Sequence, residues 1–400
     1  MSPALKRRLL ITTALVAVII VAAAAFFYRP TRLALERAES LQFRRMQVTK
    51  LADGDGYRFF FITNRGLSTQ TGEPLKDLFS NERMDSLHFG LFDTQIELSM
   101  GLGMLINPTD WFQNEEIQLN NVEFLSQETF VTQLRDQVDR SPYRSVLIKI
   151  NGFRERFPSA LRKTAFLSYV LDIDSPVLVF DWPGDQGANP IGYRRAQNVA
   201  SSSGAQLAQA IRILIEQVEP DKIWLVANSM GAQVVVHAFS ALYEDGDLAD
   251  MPKKIESVVL TAPDVDKGQF NAQFKLETAA LSNNLIVYVS SNDRALLMSR
   301  ILNLGRRLGE STLNIDNPDQ TEEAAELYDL VAPDEQLVTL IDVTPINRTR
   351  NFHNFSLETP EFFDDLYLRL VNGGIMPQSR PEHKVEGADG RSYRILTRGR

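Results

Sequence analysis

The sequence contains no cysteine, which removes disulfides, thiol nucleophiles and every cysteine-bearing zinc or iron–sulfur site. Histidine is scarce as well. The four histidines stand far apart, at positions 88, 237, 353 and 383, with no His-x-x-x-His pair, so no histidine-based metal site is expected. Positive charge is in short supply: 42 Lys and Arg face 51 Asp and Glu, a formal net charge of −9, the wrong sign for a chain that binds phosphate backbones. A nucleic-acid partner is not expected. Phosphate-cradling glycine loops are missing too. There is no Gly-x-x-x-x-Gly-Lys-Ser/Thr, and Gly101-Leu102-Gly103 lacks the third glycine of a dinucleotide fingerprint. Neither a nucleotide ligand nor any other cofactor is implied.

Apolar surface, by contrast, is plentiful. Hydrophobic residues make up 44% of the 400 positions, with 23 Phe, enough for a sizeable core. One apolar run stands apart from it: residues 9–28 carry no charge over twenty positions and as a helix would span roughly 30 Å, about one hydrocarbon core. Lys6, Arg7 and Arg8 precede the run and favour a cytoplasmic N-terminus, although Arg29, Arg32 and Arg37 on the far side weaken the asymmetry. Small residues at 22–25 also fit a signal-peptide cleavage site, but the run is longer than a typical signal core. The expected organisation is a basic flank (1–8), a transmembrane anchor (9–28), a charged connector (29–55), one large domain (56–376) and a polar, loose tail (377–400). The domain would then lie on the extracytoplasmic side of a membrane.

A strand-like run at 57–63 opens the domain. From position 145 onward, short apolar runs at 146–150, 177–182, 223–227, 257–262, 285–290 and 337–343 alternate with helical stretches at 159–171, 194–217, 231–244 and 359–371. The last helix should open with Thr359 as cap, Pro360 in the first turn and acidic Glu361. Near-continuous apolar strands separated by helices predict an α/β fold with a mostly parallel central sheet flanked by helices. The stretch 311–336, with eight acidic residues and no Lys or Arg, reads as peripheral.

One junction carries chemistry. The apolar run 223–227 breaks at Asn228-Ser229-Met230-Gly231 and an apolar-striped helix follows, the layout of a turn that lifts a serine hydroxyl off a sheet edge. Such a turn needs small neighbours two positions to either side, and Ala227 and Gly231 supply them. A serine before a helix is often only its N-cap; the preceding buried strand favours a nucleophile. A nucleophilic serine needs a base and a carboxylate to orient it. His353, just beyond the final strand, is the candidate base. His237 lies within the helix after Ser229, His88 precedes the alternating region, and His383 falls in the tail. Two acids qualify, each directly after a strand: Asp293 and Asp264. Asp293 follows the penultimate strand and is preferred, while Asp264 is the alternative acid, a helix cap or a support. Oxyanion donors would be the backbone amides of Met230 and of Phe153, the latter in a strand-end Asn151-Gly152-Phe153 that is also an ordinary turn sequence.

These residues, with Thr63-Asn64-Arg65, Phe180-Asp181-Trp182-Pro183-Gly184, Ala262-Pro263-Asp264-Val265-Asp266 and Ser291-Asn292-Asp293-Arg294-Ala295-Leu296, give the chain from about 59 to 355 a specific likeness. It resembles the α/β-hydrolase superfamily and, within it, a bacterial esterase/lipase-like family of unknown function. The resemblance implies Ser229 as nucleophile, Asp293 as acid and His353 as base. Asn151 and Asn228 stand where relatives carry histidine, which alters the neighbouring hydrogen bonds and removes no triad member. The expected function is a membrane-anchored serine hydrolase acting on a small-molecule or lipid acyl substrate through an acyl-enzyme. Its rivals are a non-catalytic scaffold of the cell envelope and a peptidase or thioesterase on the same triad.

Overall fold

The computed structural model describes residues 6–8, 10–18, 44–52, 54, 56–68, 78–97, 117–245, 253–310, 338–347, 353–377, 383–386 and 392–397. The acidic stretch 311–336 and most of the apolar run 9–28 lie outside them. Among the described residues no helix is long and apolar enough to cross a membrane.

Strands form where aliphatic and aromatic residues run without interruption. β1 (Tyr57–Leu67), β4 (Ser145–Ile150), β5 (Val177–Asp181), β6 (Lys222–Asn228), β7 (Ile255–Thr261), β8 (Ser282–Val289) and β9 (Val338–Asp342) pair in parallel in the order β9-β8-β7-β6-β4-β5-β1. Every residue of β4 and of β5 is buried, as expected for strands covered on both faces. Alternate side chains feed two apolar layers. Phe60, Ile148 and Leu225 join one, and Phe59, Leu147, Trp224 and Val226 the other.

The connections are helical: α1 (Gln127–Arg140), α2 (Phe157–Leu171), α3 (Pro190–Ile213), α4 (Gly231–Glu244), α5 (Lys275–Leu281), α6 (Arg294–Asn303), α7 (Phe355–Glu358) and α8 (Pro360–Val371). Asn189 caps α3 by accepting from Gly192 N at 2.8 Å, with Pro190 in the first turn. α8 also begins with proline, and Thr359 holds the cap position, but its side chain makes no capping bond. α3 and α4 approach closely because Gly204 has no side chain: a Cβ there would lie 2.6 Å from Cβ of His237. β4 and β5 step one way along the sheet and β6 the other, so the chain reverses direction beside β4. In open parallel sheets such a switch point leaves a crevice at the carboxyl ends of the strands.

Two parts of the sheet depart from expectation. β2 (Phe79–Ile96) and β3 (Ile117–Leu125) add an antiparallel flank beside β1, inside the stretch that carries no clean strand signal. The tail expected to be loose instead supplies β10 (His383–Glu386) and β11 (Ser392–Ile395). β11 pairs in parallel with β9, completing an eleven-stranded sheet. Its Tyr393 is 1% exposed. Polar composition hid these strands because both are short and lie at an edge, where one buried ring is enough to dock them.

If Tyr393 anchors the tail, Tyr393→Ala should lower stability by about 3 kcal/mol, the scale of a lost buried aromatic, in urea unfolding. A change within about 0.5 kcal/mol, typical of exposed sites, would show the tail undocked.

Candidate active site

The crevice at the switch point is built from the ends of β4, β6, β8 and β9. At the end of β6, Ser229 takes φ 53, a left-handed conformation that a residue with a Cβ normally avoids. Three backbone bonds hold it there: Ser229 N donates to Thr261 O (2.9 Å), and Ala232 N and Asp264 N donate to Ser229 O (3.0 and 3.1 Å). Two glycines let the loop after β4 lie against this turn. A Cβ on Gly231 would fall 2.5 Å from Asn151 O, and one on Gly152 would fall 3.0 Å from Ser229 Cβ. The turn therefore requires glycine at 231, and a side chain at 152 would need Ser229 to give way by a few tenths of an ångström. Ser229, 8% exposed, opens onto a pocket of about 440 Å³ whose lining includes His353, Gly152, Phe153, Tyr193 and Lys149.

His353 reaches the pocket from the loop between β9 and α7. Its Nδ1 lies 2.6 Å from Asp293 Oδ2. Asp293 is fixed in turn because its other oxygen, Oδ1, caps α6 by accepting from Leu296 N at 3.0 Å. The loops carrying the two residues are stitched together: Asn347 Nδ2 donates to Ser290 Oγ (2.8 Å), and Asn292 Nδ2 donates to Asn347 O (3.1 Å). Burial pushes the His353 imidazole down, but the Asp293 carboxylate outweighs burial and holds it above its ordinary value. With Nδ1 facing Asp293, Nε2 is the ring nitrogen left for a proton from a neighbouring hydroxyl.

Asp264 is engaged elsewhere. Its Oδ1 accepts from Ser299 Oγ (2.6 Å) and Arg307 Nε (2.7 Å), and its Oδ2 accepts from Tyr193 OH (2.6 Å). Among the described residues neither oxygen bonds to His353. The remaining histidines are remote from this chemistry. His237 stacks edge-on against Phe274 at 5.1 Å, His88 sits on β2 beside Phe79 and Phe124, and His383 pairs with Ile395 on β10. Burial lowers the first two below the ordinary imidazole value.

Among the described residues the amides of Met230 and Phe153 have no protein acceptor, leaving both available to an oxyanion. The loop carrying Phe153 is held from three sides. Trp182 Nε1 donates to Asn151 O (2.8 Å), Arg154 N to Gly184 O (2.9 Å), and the guanidinium of Arg65 to Glu155 O (2.6 Å). Arg65 is 1% exposed and also donates to Asp181 Oδ2, Asp185 Oδ1 and Trp182 O (2.6, 2.6 and 2.9 Å). Asn151 and Asn228 serve the frame. Asn151 Nδ2 donates to Ala160 O on α2 (3.3 Å), and Asn228 Nδ2 to Thr261 Oγ1 and Ser356 Oγ (3.2 Å each).

Sequence reasoning missed Lys149 as a pocket residue, although it had a readable signal, a single charge within the aliphatic run VLIKI. Among the described residues no group of three or more His, Asp or Glu is placed to hold a metal ion.

Residues 126–364 match a family described as alpha/beta hydrolase of unknown function (DUF900). No curated protein matches the chain.

Two outcomes follow from this geometry. Asp293→Asn removes the main charge that raises His353 and leaves burial opposed only by the weaker pull of Asp264, so the His353 titration, followed by NMR, should move to lower pH; an unchanged midpoint would show that Asp293 does not govern the imidazole. Arg65→Met strands Asp181 as an unpaired buried charge and should cost about 3–5 kcal/mol in denaturant unfolding, whereas a loss below about 1 kcal/mol would show that the clamp is dispensable.

Proposed function

Since the chain belongs to this α/β-hydrolase family, whose match covers more than half of it, we propose that it is a serine hydrolase cleaving an ester or related acyl bond through an acyl-enzyme. The observation that carries the reading is the strained Ser229 opening onto the same pocket as His353, whose Nδ1 lies 2.6 Å from Asp293. Tight strand-to-helix turns of this kind raise a hydroxyl above a sheet edge, and strain in a non-glycine residue concentrates at functional sites.

In the first half-reaction His353 Nε2 takes the hydroxyl proton as Ser229 Oγ attacks the acyl carbon. The Met230 and Phe153 amides receive the negative charge that develops on the carbonyl oxygen. Asp293 holds the proton on Nδ1 and stabilises the imidazolium. Collapse of the tetrahedral intermediate expels the alcohol, which collects the proton from His353. Water then repeats the sequence on the acyl-serine, releasing the acid and restoring Ser229.

The uncharged run 9–28 and its basic flank support attachment to a membrane, with the catalytic domain on the extracytoplasmic side. Of the helical residues described there, Leu10, Leu15 and Val18 are more than half exposed. An acyl substrate drawn from a lipid fits that location.

The test is labelling of the full-length protein by a fluorophosphonate probe. Wild type should label, Ser229→Ala and His353→Ala should not, and turnover of a model ester should fall on the order of 10⁶-fold in either variant, as in triads that act as a unit. A loss under about tenfold in either, far below that scale, or no labelling of well-folded wild type, would replace the enzyme with a non-catalytic envelope protein.

A further inference from the structure

The triad chemistry leaves the buried Lys149 of the pocket unused. Along β4, Val146, Ile148 and Ile150 face one apolar layer and Leu147 the other. Lys149 therefore projects with Leu147 and Asn151 toward α2. It is 2% exposed, yet it lines the pocket that holds Ser229 and His353. A buried ammonium is strongly disfavoured without a partner, and among the described residues Lys149 makes no hydrogen bond or ion pair. Glu155, the acid that acts on it, is already engaged by Lys163 and by Ser159 Oγ at 2.6 Å. Elsewhere the pocket wall carries Pro190, Met298 and Leu302, which suit an uncharged chain.

We propose that Lys149 is an anion-binding subsite of the acyl pocket and that the substrate is an ester whose acyl chain carries a carboxylate, seated on Lys149 Nζ. The proposal rests on the serine-hydrolase reading for the identity of the reacting bond and on the pocket alone for the anion. A carboxylate fits better than a phosphate. Lys149, Lys163 and Glu155 together sum to one positive charge, so a monoanion neutralises the cluster and a dianion would leave excess charge beside Glu155. Burial, reinforced by Lys163, pulls Lys149 down to about 7, so at neutral pH the anion binds together with a proton. Other charges around the site are Arg154, His353, Asp264, which Arg307 holds, and, on the adjacent strand β5, Asp181, which Arg65 holds.

The test compares p-nitrophenyl half-esters of glutaric, adipic and suberic acid with p-nitrophenyl esters of equal length ending in methyl, on the full-length protein. At pH 6.5 the carboxylate series should lead by at least tenfold in kcat/KM, and Lys149→Met should lower that ratio at least tenfold. In the wild type, KM for the carboxylate series should climb as pH rises through about 7 while KM for the neutral series follows His353 alone. No preference, a preference that survives Lys149→Met, or an equal loss on both series would overturn the subsite. Binding is read separately from turnover. Suberic acid monoamide should raise the Tm of Ser229→Ala, its diamide should not, and the difference should vanish in Ser229→Ala/Lys149→Met. If no ester of either series is hydrolysed, the hydrolase reading fails and this binding comparison still decides the subsite.

Discussion

The guanidinium of Arg65 is buried on β1, so the fold must bring acceptors to it. It collects two carboxylates and two carbonyls, from Asp181, Asp185, Trp182 and Glu155. A buried charge left without partners is far more costly than a missing surface bond, and so the loops after β4 and β5 have little freedom to lie elsewhere. One of them carries Phe153. The position of a candidate oxyanion donor is thus set from β1, which precedes the matched region 126–364. The family core and its N-terminal flank are joined at this side chain as well as by the pairing of β1 with β5.

The rest of the site shows the same economy of parts. Asp293 spends one oxygen on the amide of Leu296 and the other on His353, so the carboxylate cannot rotate without uncapping α6. Gly152 and Gly231 bring the end of β4 against the turn at Ser229. The asparagines at 151 and 228 bind neighbouring backbone and hydroxyl groups on α2, β7 and α7. They hold the walls of the crevice together.

Legibility in the sequence followed burial. Strands covered on both faces, such as β4 and β5, are uninterrupted apolar runs and can be read directly. β3 is mostly exposed, with Asn120, Asn121 and Glu123 facing solvent, and its composition does not separate it from a loop. β10 and β11 were hidden for the same reason. Ser229 was legible because a tight turn dictates small residues around it. Asp293 and His353 could be named from their places after strands, but the choice between Asp293 and Asp264 depended on where Arg307 and Tyr193 fall, 43 and 71 positions from Asp264 along the chain. Lys149 was visible as an anomaly whose meaning depended on which way its side chain pointed.

The left-handed backbone at Ser229 sets function against robustness. A serine held there stores strain of order 1–3 kcal/mol, which glycine would largely release. Glycine has no hydroxyl. A laboratory selection that rewarded only heat tolerance would therefore tend to discard this serine early, and a homologue found with glycine at the corresponding turn would be one that had exchanged the hydroxyl for stability.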